Sequence, residues 1–178
     1  MNYFIQSLTY FRILISPIIF LLITVYDSYG WALFLFFLAS ISDYWDGFLA
    51  RKYKLESTIG AVLDPIADKI LVTFLILALS LELSSIFIGM VGGLMLVREF
   101  WVGALRDFNA RQNNSDATKV TFLAKTKTLI QFMTFSSYLF GLVLNNSLIL
   151  FSSNFLLFLA LIITLQTGLS YTMSTFKQ

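Results

Sequence analysis

Neither cysteine nor histidine occurs among the 178 residues. Their absence excludes disulfide frameworks, iron–sulfur clusters, the usual zinc sites, catalytic thiols and every triad built on imidazole. Charge is scarce too: Asp, Glu, Lys and Arg make up 12% of the chain, where a soluble domain carries about a quarter. What fills the space is apolar, with 58% hydrophobic and 17% aromatic residues, 19 of them Phe, and a mean hydropathy of +0.81. Disorder, a secreted disulfide scaffold and an ordinary cytosolic enzyme are thereby ruled out. The remaining acid–base groups are Asp, Glu, Lys, Tyr and hydroxyls. The chain reads as an all-α, polytopic integral membrane protein whose chemistry rests on carboxylates.

A helix that crosses a bilayer needs about 20 mostly apolar residues. Six such runs are expected, roughly Phe4–Tyr26, Trp31–Ala50, Ala61–Leu81, Ser85–Arg106, Thr126–Leu144 and Ser147–Met173. Tight polar turns separate the first and last pairs, Asp27-Ser28-Tyr29-Gly30 and Asn145-Asn146. The longer connections, Arg51–Gly60 and Asp107–Lys125, are rich in charge. No linker or low-complexity stretch interrupts residues 1–178, so a single domain is expected. The first run lacks a basic leader, and Arg12 sits inside it, which favours a retained span over a cleaved signal. No Lys or Arg lies in the three turns on one side of the membrane. By the positive-inside rule that side is external, and both termini are cytoplasmic.

Charge also divides along the chain. Residues 1–88 hold 7 acids and 5 bases, whereas residues 89–178 hold 3 acids and 7 bases. The first half is suited to cations and the second to anions.

The acids of the first half are ordered. Asp43 and Asp46 stand three apart at the end of the second run, and Asp64 and Asp68 four apart at the start of the third. At about 100° per residue, each pair shares a helical stripe with small residues, Gly47 and Ala50 on one helix and Gly60 on the other. A lone Asp at such a place is most simply a residue reaching for the interface. Four on two facing stripes would repel one another unless cations neutralised them, and an Asp in a span costs about 2.5–3.5 kcal/mol at the centre. Oxygen ligands without His or Cys select hard divalent ions such as Mg²⁺ or Mn²⁺. Four negative charges balance two divalent ions, the arrangement that clamps the attacking and leaving oxygens of a phosphoryl transfer. The small residues also suit close helix packing.

The run Asp43-x2-Asp46-Gly47-x2-Ala50-Arg51-x8-Gly60-x3-Asp64-x3-Asp68 resembles the signature of the CDP-alcohol phosphotransferase family, with every fixed position present. The resemblance implies a six-helix membrane enzyme with a cytoplasmic active site, often a homodimer, that moves the phosphatidyl group of a CDP-lipid to an alcohol and releases CMP. It implies that Asp43, Asp46, Asp64 and Asp68 hold two divalent cations and that Asp68 is the general base. Gly47, Ala50, Arg51 and Gly60 would shape the nucleotide site. The amino end departs from the pattern. Leu8-Thr9 and Arg12 are kept, but Ile5-Gln6 stand where relatives carry Pro-Asn, so no role is carried over from that Asn.

The runs VREFWVGALRDFNAR and LAKTKTLIQ are similar to those of the branch that uses CDP-diacylglycerol and glycerol 3-phosphate; DPIADK fits that branch and also the cardiolipin-forming one. A phosphate acceptor needs fixed cations, and Arg forks match phosphate oxygens. Arg98 and Arg106, eight apart, fall about 80° apart on a helix and share a face. Positive-inside topology explains any one of these cations equally well, except Arg98, which lies too deep in its span. Glu99 is read as an offset to nearby positive charge. Of Lys125 and Lys127 one faces the site, and the resemblance favours Lys127; Arg111 and Lys119 read as loop charges. The acceptor-phosphate set is therefore Arg98, Arg106 and Lys127. Cardiolipin formation is the alternative, with a neutral acceptor that needs fewer cations. A divalent-cation transporter is a remote one, because the acids lie near one face and do not recur in residues 89–178. The expected location is a bacterial inner membrane with the site facing the cytoplasm, and no nucleic-acid partner is expected.

Overall fold

A computed structural model describes residues 2–53, 58–114 and 122–176. It is all-helical: α1 Asn2–Thr24, α2 Tyr29–Tyr53, α3 Thr58–Glu82, α4 Ile86–Arg111, α5 Phe122–Val143 and α6 Ser147–Phe176. Among the described residues three helices are long and apolar enough to cross a membrane, over Ser7–Thr24, Ile86–Arg111 and Ser147–Phe176, while α2 carries a shorter apolar stretch, Tyr29–Asp43. In α2 and α4 helix continues past the apolar run into charged sequence. The α2 helix runs on to Tyr53 and α4 to Arg111, so Arg111 is no loop charge but an exposed residue of the last turn of α4, paired with Asp107 at 2.7 Å. Hydropathy ends where side chains become polar, whereas backbone hydrogen bonding has no reason to stop there.

The helices end without glycine. Asp27, Ser84, Asn113 and Asn145 take the left-handed conformation, with φ of 49°, 45°, 56° and 47°. After each of them the next amide reaches back across the turn: Ser28 N to Leu22 O at 2.8 Å, Ser85 N to Ser80 O at 2.9 Å, Asn114 N to Asn109 O at 2.8 Å and Asn146 N to Gly141 O at 3.0 Å. These short polar residues tolerate positive φ, and the reach-back bond satisfies an otherwise orphaned carbonyl. Asn146 then caps the following helix, its Oδ1 accepting from Leu148 N at 3.0 Å and Ile149 N at 3.3 Å.

The α1–α3 helices form one compact unit and α4–α6 another. In the first, α1 buries a stripe at Thr9, Arg12, Ser16, Ile19 and Ile23, the three- and four-residue spacing of one helical face. Its apolar end is buried, as are Phe36 of α2 and Leu75 and Leu79 of α3; its polar end holds Arg12. Contacts between α1 and α3 rise together along both helices, Thr9 with Asp64 and Phe20 with Phe74, so the two are parallel. In the second unit Arg98 meets Thr167 and Asn109 meets Thr175, which makes α4 and α6 parallel as well. The α5 helix joins α6 through Ser137 with Ser153 and Tyr138 with Asn154, both at 2.7 Å. Large apolar side chains face outward on every helix, among them Leu14, Trp31, Ile86, Phe151 and Phe155. So broad an apolar exterior is foreign to a water-soluble monomer and natural against lipid.

Candidate active site

The carboxylates of the first unit converge on Arg12. This side chain is 0% exposed, inside an apolar helix where an unpaired guanidinium would be costly. Its Nη1 donates to Oδ1 of Asp43 on α2 and to Oδ1 of Asp68 on α3. Its Nη2 lies 3.4 Å from Oδ1 of Asp64. Thr9, one turn earlier on α1, donates its hydroxyl to the same Asp64 oxygen at 2.6 Å. Asp43 of α2 and Asp68 of α3 thus meet on one nitrogen, with α1 supplying the cation between them. Sequence reasoning missed Arg12 and Thr9 as site residues. The available signal was an Arg within an apolar run whose charge required acids from elsewhere in the chain.

Asp46, Gly47, Ala50 and Arg51 lie on α2 with side chains outside the described residues; Gly60 stands in the first turn of α3. Among the described residues no three acids gather closely enough to ligate an ion unaided. The donor chemistry nevertheless fits a hard divalent cation. Oxygen-only carboxylates from two helices already meet on a positive group, and their side chains stay 46%, 38% and 53% exposed at Asp43, Asp64 and Asp68. One guanidinium leaves three carboxylates with excess negative charge. That excess, on reachable oxygens, is what a divalent ion requires.

The second unit carries the opposite charge. Glu99 on α4 is gripped by two cations, Arg98 through Nη1 at 3.0 Å and Lys127 of α5 through Nζ. Arg98 is buried, and its Nη2 donates to Thr167 Oγ1 on α6 at 2.6 Å. Its stem lies across Gly168, where an added Cβ would come 3.0 Å from Arg98 Cγ and 3.1 Å from Nε; glycine allows that close approach. Arg106, two turns on, is exposed. Among the described residues it has no ion-pair partner, and its Cζ stands 5.8 Å from the ring centre of Tyr171. Arg98 Cζ stands 6.0 Å from the same ring. Arg98, Arg106, Lys127 and Glu99 together carry a net positive charge of about two, suited to a phosphate monoester dianion. The side chain of Lys125 lies outside the described residues. Thr167, Gly168 and Tyr171 went unnoticed in the sequence because they fall in an apolar stretch without a motif.

Comparison with known proteins bears on both clusters. A sequence profile for CDP-alcohol phosphatidyltransferase matches residues 6–166. A Salmonella choleraesuis protein named CDP-diacylglycerol–glycerol-3-phosphate 3-phosphatidyltransferase is 31% identical over 168 residues, 92% of this chain and 90% of its own length. Proteins of the same name from Rickettsia typhi and Rickettsia bellii are 38% and 41% identical. The first match covers 92% of each chain; the second covers 77% of this chain and 74% of the relative.

Proposed function

The chain belongs to the CDP-alcohol phosphatidyltransferase family, and from that premise we propose that it transfers the phosphatidyl group of CDP-diacylglycerol to glycerol 3-phosphate, releasing CMP. The observation that carries this reading is that one chain holds an acidic cluster in α1–α3 and a cationic cluster in α4–α6 and is similar over most of its length to relatives named for that reaction.

In the reaction the acceptor's hydroxyl oxygen bonds to the phosphatidyl phosphorus. The bond from that phosphorus to the bridging oxygen breaks, and CMP leaves with the electron pair. Asp43, Asp46, Asp64 and Asp68 would hold two divalent cations, Mg²⁺ or Mn²⁺, which supply charge neutralisation at the diphosphate. Asp68 accepts the proton of the attacking hydroxyl. Arg12 and Thr9 keep the carboxylates oriented. Gly47, Ala50, Arg51 and Gly60 receive the cytidine nucleotide. Arg98, Arg106 and Lys127 bind the phosphate of glycerol 3-phosphate. Because that phosphate is remote from the reacting hydroxyl, its binding energy serves to place the hydroxyl.

The same reading takes residues 1–178 as one membrane domain with six transmembrane helices and cytoplasmic termini. It places the protein in a bacterial inner membrane with its site open to the cytoplasm, acting as a homodimer. Apolar run length, the distribution of Lys and Arg and the family resemblance support these points.

The acceptor assignment is tested by paired KM values. Arg106→Ala and Lys127→Ala are expected to raise KM for glycerol 3-phosphate roughly ten- to a hundredfold, the loss typical of one charge-assisted phosphate contact, and KM for CDP-diacylglycerol far less. Equal effects on both substrates would remove these cations from the acceptor site.

A further inference from the structure

Tyr171 occupies an unusual position for a residue of an apolar helix. It is buried, packed with Val102 and Leu105 of α4, and two guanidinium groups flank it, with Cζ 6.0 Å and 5.8 Å from its ring centre. Arg98 and Arg106 are two helical turns apart on α4, roughly 12 Å along the axis, yet one ring lies within cation–π range of both. The two cations differ in what else they do. Arg98 is committed, with Nη1 on Glu99, Nη2 on Thr167 and Nε against the bare backbone of Gly168. Arg106 is exposed and, among the described residues, has no ion-pair partner; it lies against the ring and feels the like charge of Lys127.

We propose that Tyr171 is a positioning residue of the acceptor site, its π face holding the exposed Arg106 fork in register with the buried charge of Arg98 so that both act on one phosphate dianion. The proposal rests on the acceptor reading above and adds a division of labour. Arg98 supplies a fixed field, Arg106 makes the contact, and Tyr171 sets the direction of that contact. An ordered fork loses less freedom on binding than an Arg left to sample its rotamers. The electron-rich ring face also eases the repulsion between two like charges facing one dianion.

The test compares Tyr171→Phe with Tyr171→Leu in the purified full chain, reading KM for glycerol 3-phosphate and for CDP-diacylglycerol separately. Leu keeps an apolar filling but has no π face. Tyr171→Leu should raise KM for glycerol 3-phosphate about tenfold and KM for CDP-diacylglycerol less than about twofold, the size expected when cation–π contacts are lost. Tyr171→Phe should recover most of that loss. A double-mutant cycle guards against mere misfolding: in an Arg106→Leu background Tyr171→Leu should add little, because the residue acts through Arg106, whereas a purely structural role adds its full effect. Full additivity, equal rises in both KM values, or an unchanged glycerol 3-phosphate KM in Tyr171→Leu would overturn the proposal. A wild-type protein that releases no CMP with glycerol 3-phosphate would overturn the acceptor reading itself, an outcome distinct from a Tyr171 failure.

Discussion

Replacing Arg12 by Met keeps an unbranched apolar stem and removes the guanidinium with its charge and its hydrogen-bond donors. Three carboxylates, Asp43, Asp64 and Asp68, would then face one another without their common partner. Breaking a fully buried ion pair by deleting one member costs about 3–5 kcal/mol, while an exposed pair is worth about 0.2–1 kcal/mol. Here the cation is 0% exposed and the acids 38–53% exposed, so the cost falls between these limits, about 2–3 kcal/mol. For a chain of this size that lowers Tm by about 5–10 °C. Thermal unfolding in detergent micelles at a fixed scan rate reads the shift, with chelator present so that no added cation replaces the lost charge. Arg12→Lys should fall between, since a single ammonium cannot span the same three acids as a fork. Adding Asp68→Asn to Arg12→Met should restore part of the loss by removing one of the repelling charges. A Tm for Arg12→Met within ~1 °C of wild type, or no recovery in the double variant, would refute the view that Arg12 holds the acids together.

Two further expectations follow from the same geometry and from the membrane reading. Asn at any one of Asp43, Asp46, Asp64 or Asp68 should abolish transfer while the protein remains inserted and folded, and wild-type activity should vanish in chelator and return with Mg²⁺ or Mn²⁺; a variant near full activity would remove its residue from the site. Cysteines placed at Ser28, Leu83 or Asn146 should react with an impermeant thiol reagent from outside, and those at Ser57 or Asn113 only from the cytoplasm, against a chain with no native Cys; outside labelling at Ser57 would invert the topology.

How far the sequence announced this architecture depends on the residue. Helix positions were legible from apolar run length, and the four-residue spacing of Asp64 and Asp68 put both on one face of α3, because helical periodicity decides which side chains share a face. The ends were less legible. Arg51–Tyr53 and Asp107–Arg111 continue their helices although they are polar, since solvated charge does not unwind a helix. Arg98 and Arg106 were legible as a pair from their spacing of eight, but their different duties were not. One pairs with Glu99 and Thr167 and the other stands exposed over Tyr171, a difference made by the register between α4 and α6. Register depends on which bumps fit which hollows, here Gly168 beneath the Arg98 stem, and no local pattern in either helix records it. Arg12 lies between these cases: its cost in an apolar run was readable, its partners only once three helices were in place.

The identity of the acceptor is read most directly from CMP release. Purified protein supplied with CDP-diacylglycerol and a divalent cation should release CMP when glycerol 3-phosphate is added, with the acceptor's phosphate retained in the lipid product, and should release little with glycerol or phosphatidylglycerol. CMP release with phosphatidylglycerol but not with glycerol 3-phosphate would contradict it and make the protein a cardiolipin-forming member of the family.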